Sequence, residues 1–171
     1  MHIKFAEKNF RGFAERIEWD LSHPSNYEFN KNAIKDGVIK NGIIYGPNGS
    51  GKSNFALAIF DIENHLSAKW KKTDYYSNFV YTGNLNSPVE FEYVFKFDDD
   101  ILEYHYSKNS IGLLVAESLT VNHKQVCKRN QSVCEIDDEH FKVDATVKEK
   151  LRPLEGIYVA GRATYVAGAA T

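Results

Sequence analysis

The chain is 171 residues long, 43% hydrophobic and 26% charged, with a formal net charge of −2. That length carries one domain with a proper core, and that composition excludes intrinsic disorder. No apolar run approaches the roughly 18 residues of a membrane span, which excludes a membrane protein, and the small negative charge gives no electrostatic case for nucleic acid, so DNA is not shown as a partner.

The polar start Met1-His2-Ile3-Lys4 is no signal peptide, and a cytoplasmic location is expected. Residues 3–7 and 16–21 read as two strands joined through Asn9-Phe10-Arg11-Gly12-Phe13. The stretch 22–37, with Pro24, Ser25 and Gly37, reads as a loop. Val38-Ile39 and Ile43-Ile44-Tyr45 read as a short buried strand leading straight into an octet of glycine-rich sequence.

That octet, Gly46, Pro47, Asn48, Gly49, Ser50, Gly51, Lys52 and Ser53, fits G-x-x-x-x-G-K-[ST], the phosphate-binding loop of a nucleoside triphosphate site. Successive backbone N–H groups turn inward around phosphate oxygens only where the turn residues lack bulk, which Gly46, Gly49 and Gly51 satisfy. Lys52 is expected to reach the β- and γ-phosphates of ATP and the Ser53 hydroxyl to sit on Mg²⁺. A helix is predicted over 52–66, with Phe55, Ile59, Ile62 and Leu66 forming one apolar stripe. Its N-terminal N–H groups and positive dipole end face the loop and add anion affinity. Lys69, Lys71 and Lys72 complement the other end of the dipole.

After the helix the sequence turns to β. Val89, Phe91, Tyr93, Phe95 and Phe97 alternate with Glu90, Glu92, Val94 and Lys96, a half-buried strand. Asp98-Asp99-Asp100 makes a solvated turn, and Leu102, Tyr104 and Tyr106 continue on the next strand. A further strand is predicted over 113–121, then a hairpin over 124–137 turning at Asn130-Gln131, which sets Cys127 opposite Cys134. Two free thiols are expected there in a reducing compartment. His123 and His140 flank the thiols at a spacing that is not regular for zinc. A short helix is predicted over 144–151. Residues 158–171 are two tandem heptads, YVAGRAT and YVAGAAT, whose Ala and Gly content offers little to a core. Residues 1–157 are thus expected to form one lobe, with a β-rich block over about 79–137, and 158–171 a low-complexity tail.

A first strand ending in Asn9-Phe10-Arg11-Gly12-Phe13, the loop GPNGSGKS, a helix beginning Ser53-Asn54-Phe55-Ala56-Leu57 and then an antiparallel β block resemble the N-terminal part of an ABC-type AAA-family ATPase head. The resemblance is to the RecF and structural-maintenance-of-chromosomes branch, particularly the ATPases related to overcoming-lysogenisation-defect and abortive-infection proteins. It covers roughly residues 1–140. The fold it implies is α/β: a P-loop NTPase half-head of strand, loop and helix, carrying an antiparallel β subdomain, α+β overall. It implies that Arg11, at the basic position of an N-F-[RK] motif, lies near bound nucleotide, and that the protein belongs to a DNA-maintenance or phage-defence system. A complete head also needs four apolar residues ending in Asp-Glu and a serine-glycine signature; neither motif is present. An ATPase is expected only when a missing C-terminal half, or a second ATPase head, completes the site. Two other readings remain open: a self-contained small P-loop kinase, and a non-catalytic nucleotide-gated interaction module.

Overall fold

The computed structural model describes residues 1–25, 31–67, 73–139 and Thr146. Lys69, Lys71, Lys72, His140, most of the helix predicted over 144–151 and the whole 158–171 tail lie outside the described residues.

Seven strands make one sheet: β1 His2–Lys8, β2 Ile17–Asp20, β5 Val89–Phe97, β6 Asp100–Lys108, β7 Leu114–Val121, β8 Lys124–Asn130 and β9 Cys134–Ile136. They lie in the order β2-β1-β5-β6-β7-β8-β9, and every pairing is antiparallel. The segment between β2 and β5 crosses over β1 and carries the rest: the two-residue strands β3 Ile34–Lys35 and β4 Val38–Ile39, then helices α1 Lys52–Ile59, α2 Asp61–Leu66 and α3 Thr73–Tyr76.

The expected α/β class is therefore corrected: the scaffold is an antiparallel sheet, and no strand runs from the sheet into the glycine loop. Val38-Ile39 forms its strand ladder with Ile34-Lys35, and the Ile39 amide donates to the Leu21 carbonyl. Ile43, Ile44 and Tyr45, read from sequence as the end of a buried strand, are 90%, 47% and 91% exposed. The physical reason is pairing. A buried strand needs a neighbour for its backbone and cover for its side chains, and no described strand pairs with 43–45.

Alternation sorts the sheet into two faces. On the inner face one row across the register runs Phe5, Tyr93, Tyr104, Leu119, Cys127 and Ile136. The next row runs Glu7, Phe91, Tyr106, Glu117, Arg129 and Cys134. The helices cover this face, Phe55 meeting Phe5 edge-on at 5.7 Å. The outer face is polar at its middle, where Glu92, His105, Ser118, Lys128 and Glu135 share a row, and closes at one end over Ile3, Val38 and Val94.

The hairpin β8–β9 departs from the predicted register. Arg129, not Cys127, pairs with Cys134. Asn130 accounts for the difference: its side-chain oxygen accepts from the amides of Ser132 and Val133, both at 2.9 Å, and this closed turn lengthens the loop beyond two residues. The thiols sit diagonally and are free. Burial pushes the Cys127 thiol up to about 12, so it is inert as a nucleophile.

One inner-face carboxyl is buried with no partner. Glu7 is 1% exposed, and neither carboxyl oxygen has a hydrogen-bond partner. Burial raises its pKa to about 8, so the folded state holds a proton that the unfolded chain releases near 4.5. The folded pKa is the higher one, so the stability contribution is full below about 4.5 and is lost as pH rises to about 8. We expect urea denaturation of the wild type to show a decline over that window of roughly 3 to 5 kcal/mol relative to Glu7→Gln. Parallel stability curves for the two proteins would show that Glu7 is ionised in the fold.

Candidate functional site

The turn after β1 builds the floor of the glycine loop. Asn9 and Arg11 both take positive φ, 63° and 51°, so the chain reverses sharply between them. The Asn9 amide donates to the carbonyls of Asn84, Ser87 and Pro88 at 3.1, 2.8 and 3.2 Å. These bonds repay the unusual backbone and fix the turn against the loop before β5. Phe10 is fully buried against Phe79 and Phe91. The last two residues of the motif then reach the loop and the start of the helix after it. A Cβ on Gly12 would lie 3.3 Å from the Asn54 amide nitrogen, and the Phe13 ring rests on Gly51.

Gly49 and Gly51 both adopt positive φ, 79° and 91°. They differ in surroundings. A Cβ at Gly49 meets nothing, whereas one at Gly51 would lie 2.6 Å from Phe13 Cζ. Gly51 is also the N-cap of α1, with no side-chain cap hydrogen bond, so the first-turn donors of the helix are left for another acceptor. Lys52 folds back over the loop: its Nζ donates to the carbonyls of Gly46 and Pro47, both at 2.7 Å. Residues 41–50 are exposed throughout, and Ser53, the expected Mg²⁺ ligand, is exposed at the start of the helix. Beside the loop a cleft of about 430 Å³ is walled by Phe13, Trp19, Tyr45 and Phe55.

Arg11 stands apart from this arrangement. Its Nη2 donates to the Tyr75 carbonyl at 2.8 Å, and its guanidinium lies 5.5 Å from the Phe10 ring centroid and 5.6 Å from that of Tyr75. The sequence expectation of a basic group at the nucleotide thus meets a side chain already bound to α3. Among the described residues no group of three His, Cys, Asp or Glu side chains is placed to hold a metal.

A second polar constellation, unexpected from sequence, lies under α2. The predicted stripe of Phe55, Ile59, Ile62 and Leu66 does pack on the core, but the most buried helical positions are Phe55, Ala58, Asp61 and His65. Asp61 Oδ2 accepts from Lys108 Nζ at 2.5 Å and from the Tyr106 hydroxyl at 2.9 Å. His65 stacks on Tyr106, centroids 4.0 Å apart, and its Nε2 lies 2.8 Å from the Tyr104 hydroxyl. That hydroxyl donates to Glu117 at 2.5 Å, so it has only its lone pairs for His65, whose Nε2 carries the hydrogen. Glu117 also accepts from Arg129 Nε. Burial lowers the pKa of His65 and of Lys108. Burial opposes ionisation of Glu117 too, but His65, Arg129 and Tyr104 outweigh it and its pKa is lowered. The sequence signal was the i, i+4 pair Asp61 and His65 facing charged residues at inward positions of three strands.

No family model matches the chain, and no curated protein matches it.

Two outcomes follow from these geometries. Gly51→Ala should lower stability by about 1 to 3 kcal/mol, more than Gly49→Ala, because it adds a clash with Phe13 to the backbone strain that both share; equal melting temperatures for the two variants would remove Phe13 from the account. Glu117→Leu should cost about 3 to 5 kcal/mol by stranding the Arg129 charge, and Glu117→Leu with Arg129→Met should recover most of it. A double variant as unstable in urea as the single would show that the pair itself, rather than a stranded charge, carries the stability.

Proposed function

We propose that this chain binds a magnesium nucleotide, ATP, through residues 46–53. The observation that carries the reading is the uncapped N-terminus of α1 under a turn of positive-φ glycines, with the Lys52 ammonium folded over it. Backbone donors without acceptors, a helix dipole and a mobile point charge converge on one place, and a polyphosphate satisfies all three. Gly46, Pro47, Asn48, Gly49, Ser50 and Gly51 form the cradle, and Lys52 exchanges its two carbonyl partners for the β- and γ-phosphates. Ser53 contributes one hydroxyl to Mg²⁺, whose other ligands are phosphate oxygens and water, as suits an ion that keeps much of its hydration. Arg11 belongs to the turn beneath the loop and enters the site by releasing Tyr75.

The reading includes a partner. Ile43 and Tyr45 immediately before the loop, and Leu57 and Phe60 on the outer side of the helices, are exposed apolar residues, and apolar surface gathered beside a binding loop suits a docking polypeptide. That polypeptide is the C-terminal half, or a second head, of an ABC-type ATPase, which supplies the carboxylates for hydrolysis that the described residues do not bring to the loop. No described helix is long and apolar enough to cross a membrane, and a cytoplasmic setting, with a role in DNA maintenance or phage defence, completes the proposal.

Lys52→Ala should weaken Mg-ATP binding at least tenfold, or about 1.4 kcal/mol, by calorimetry. In the same preparation, ATP hydrolysis by the wild type alone should not exceed background, since charge stabilisation and water positioning are both incomplete. Unchanged affinity in the variant would sink the phosphate cradle; turnover by the wild type that Lys52→Ala abolishes would instead establish a self-sufficient enzyme.

A further inference from the structure

The helical segment that begins at the loop is bent, and the bend is held from below. α1 ends at Ile59 and α2 starts at Asp61, with Phe60 as the C-cap of one and the N-cap of the other. Three groups rooted in the sheet converge there. The Tyr93 hydroxyl donates to the Ala58 carbonyl at 2.8 Å, and Lys108 and Tyr106 both donate to Asp61 Oδ2. One turn further on, His65 is fixed by its stacking on Tyr106 and its contact with Tyr104. The half nearer the loop is held far less. Only Phe55 and Ala58 of α1 are buried, and Ser53, Ala56 and Leu57 face solvent.

We propose that Asp61 is a positioning residue for the phosphate loop: its clasp to Lys108 and Tyr106, with Tyr93 on the adjacent carbonyl, fixes the bend and so sets where Lys52 and Ser53 stand. The inference rests on the nucleotide reading for its effect on affinity, but not for its effect on α1 itself. A buried ion pair suits this role better than an apolar contact. It contributes little net stability, because desolvation offsets the attraction, yet its hydrogen bonds admit one geometry only. Hydrocarbon against hydrocarbon would let the helix slide. Here the carboxylate at the start of α2 has one place to go, and the rigid turns of α1 carry that constraint about 11 Å back to the loop, at 1.5 Å per residue.

The test compares Asp61→Asn with Leu119→Ala, a truncation of the fully buried Leu119 across from Tyr104 that removes apolar volume from the same sheet but no hydrogen bond to Asp61 or Ala58. Both are measured under conditions where circular dichroism shows each folded. Two quantities are read: Mg-ATP affinity by calorimetry, and amide hydrogen exchange at Phe55 and Phe60, whose N–H groups bond Gly51 and Ala56. Asp61→Asn should weaken affinity at least fivefold and accelerate exchange at both amides, with Leu119→Ala changing neither. Equal effects of the two variants on both quantities would overturn the proposal and leave Asp61 an ordinary core residue. If the wild type does not bind Mg-ATP, the nucleotide reading fails and the exchange comparison alone decides the positioning claim. Should Asp61→Asn not fold, Tyr93→Phe, which deletes a single hydroxyl, takes its place with the same two outcomes.

Discussion

The contact between α2 and the sheet is made by charge where most sheets offer hydrocarbon. Asp61 of α2 meets Lys108, and within the sheet beneath His65 Glu117 meets Arg129, all four charged groups buried. Removing such groups from water is expensive, and the protein tolerates it by supplying each carboxylate with several donors: tyrosine hydroxyls from β6 join the cations, and His65 adds a neutral ring between them. The tyrosines make this feasible. Tyr93, Tyr104 and Tyr106 each fill core volume with a ring and end in a hydroxyl directed at the helix layer. The aromatic richness of the sheet and its buried charges are thus one feature, and the position of the helices follows from it.

The same arrangement divides the molecule into a fixed part and an open part. Below the bend, Asp61, Lys108 and Glu117 are buried and paired; above it, the loop and the run before it are exposed, and Lys52 bonds only within the loop, to the Gly46 and Pro47 carbonyls and the Ser50 hydroxyl. An exposed glycine loop keeps its shape because its two ends are anchored differently. The turn Asn9-Phe10-Arg11-Gly12-Phe13 presses Phe13 against Gly51 on one side, and α1 continues into the clasp on the other. This is how a loop without a paired strand before it is held in place.

Buried titratable groups also give the fold opposed responses to pH. Glu7 is protonated in the folded state and favours acid. His65 is disfavoured as a cation by burial, so its folded pKa lies below 6.5 and it favours the fold as pH rises toward neutrality. The two act at different places, Glu7 on β1 and His65 on α2 against Tyr106.

The strands that alternate strongly were legible in the sequence, as at Val89 to Phe97, because period two in side-chain direction leaves period two in polarity. The glycines of the loop were legible too, since positive φ at Gly49 and Gly51 demands a residue without Cβ. The helix after the loop was foreseen, but not its bend at Phe60 nor that Asp61 and His65 lie deeper than Ile59 and Ile62, because polarity predicts exposure only until a partner is available in the fold. The strand expected at 43–45 failed for the converse reason: an apolar run states that a segment suits burial, and only a neighbouring strand can bury it. The cysteine register turned on one Asn130 side chain. Sequence by itself determined which residues alternate and which turns need glycine. Tertiary structure alone decided which charges meet and which apolar residues are left in solvent, because those outcomes depend on residues far apart in the chain arriving at one place.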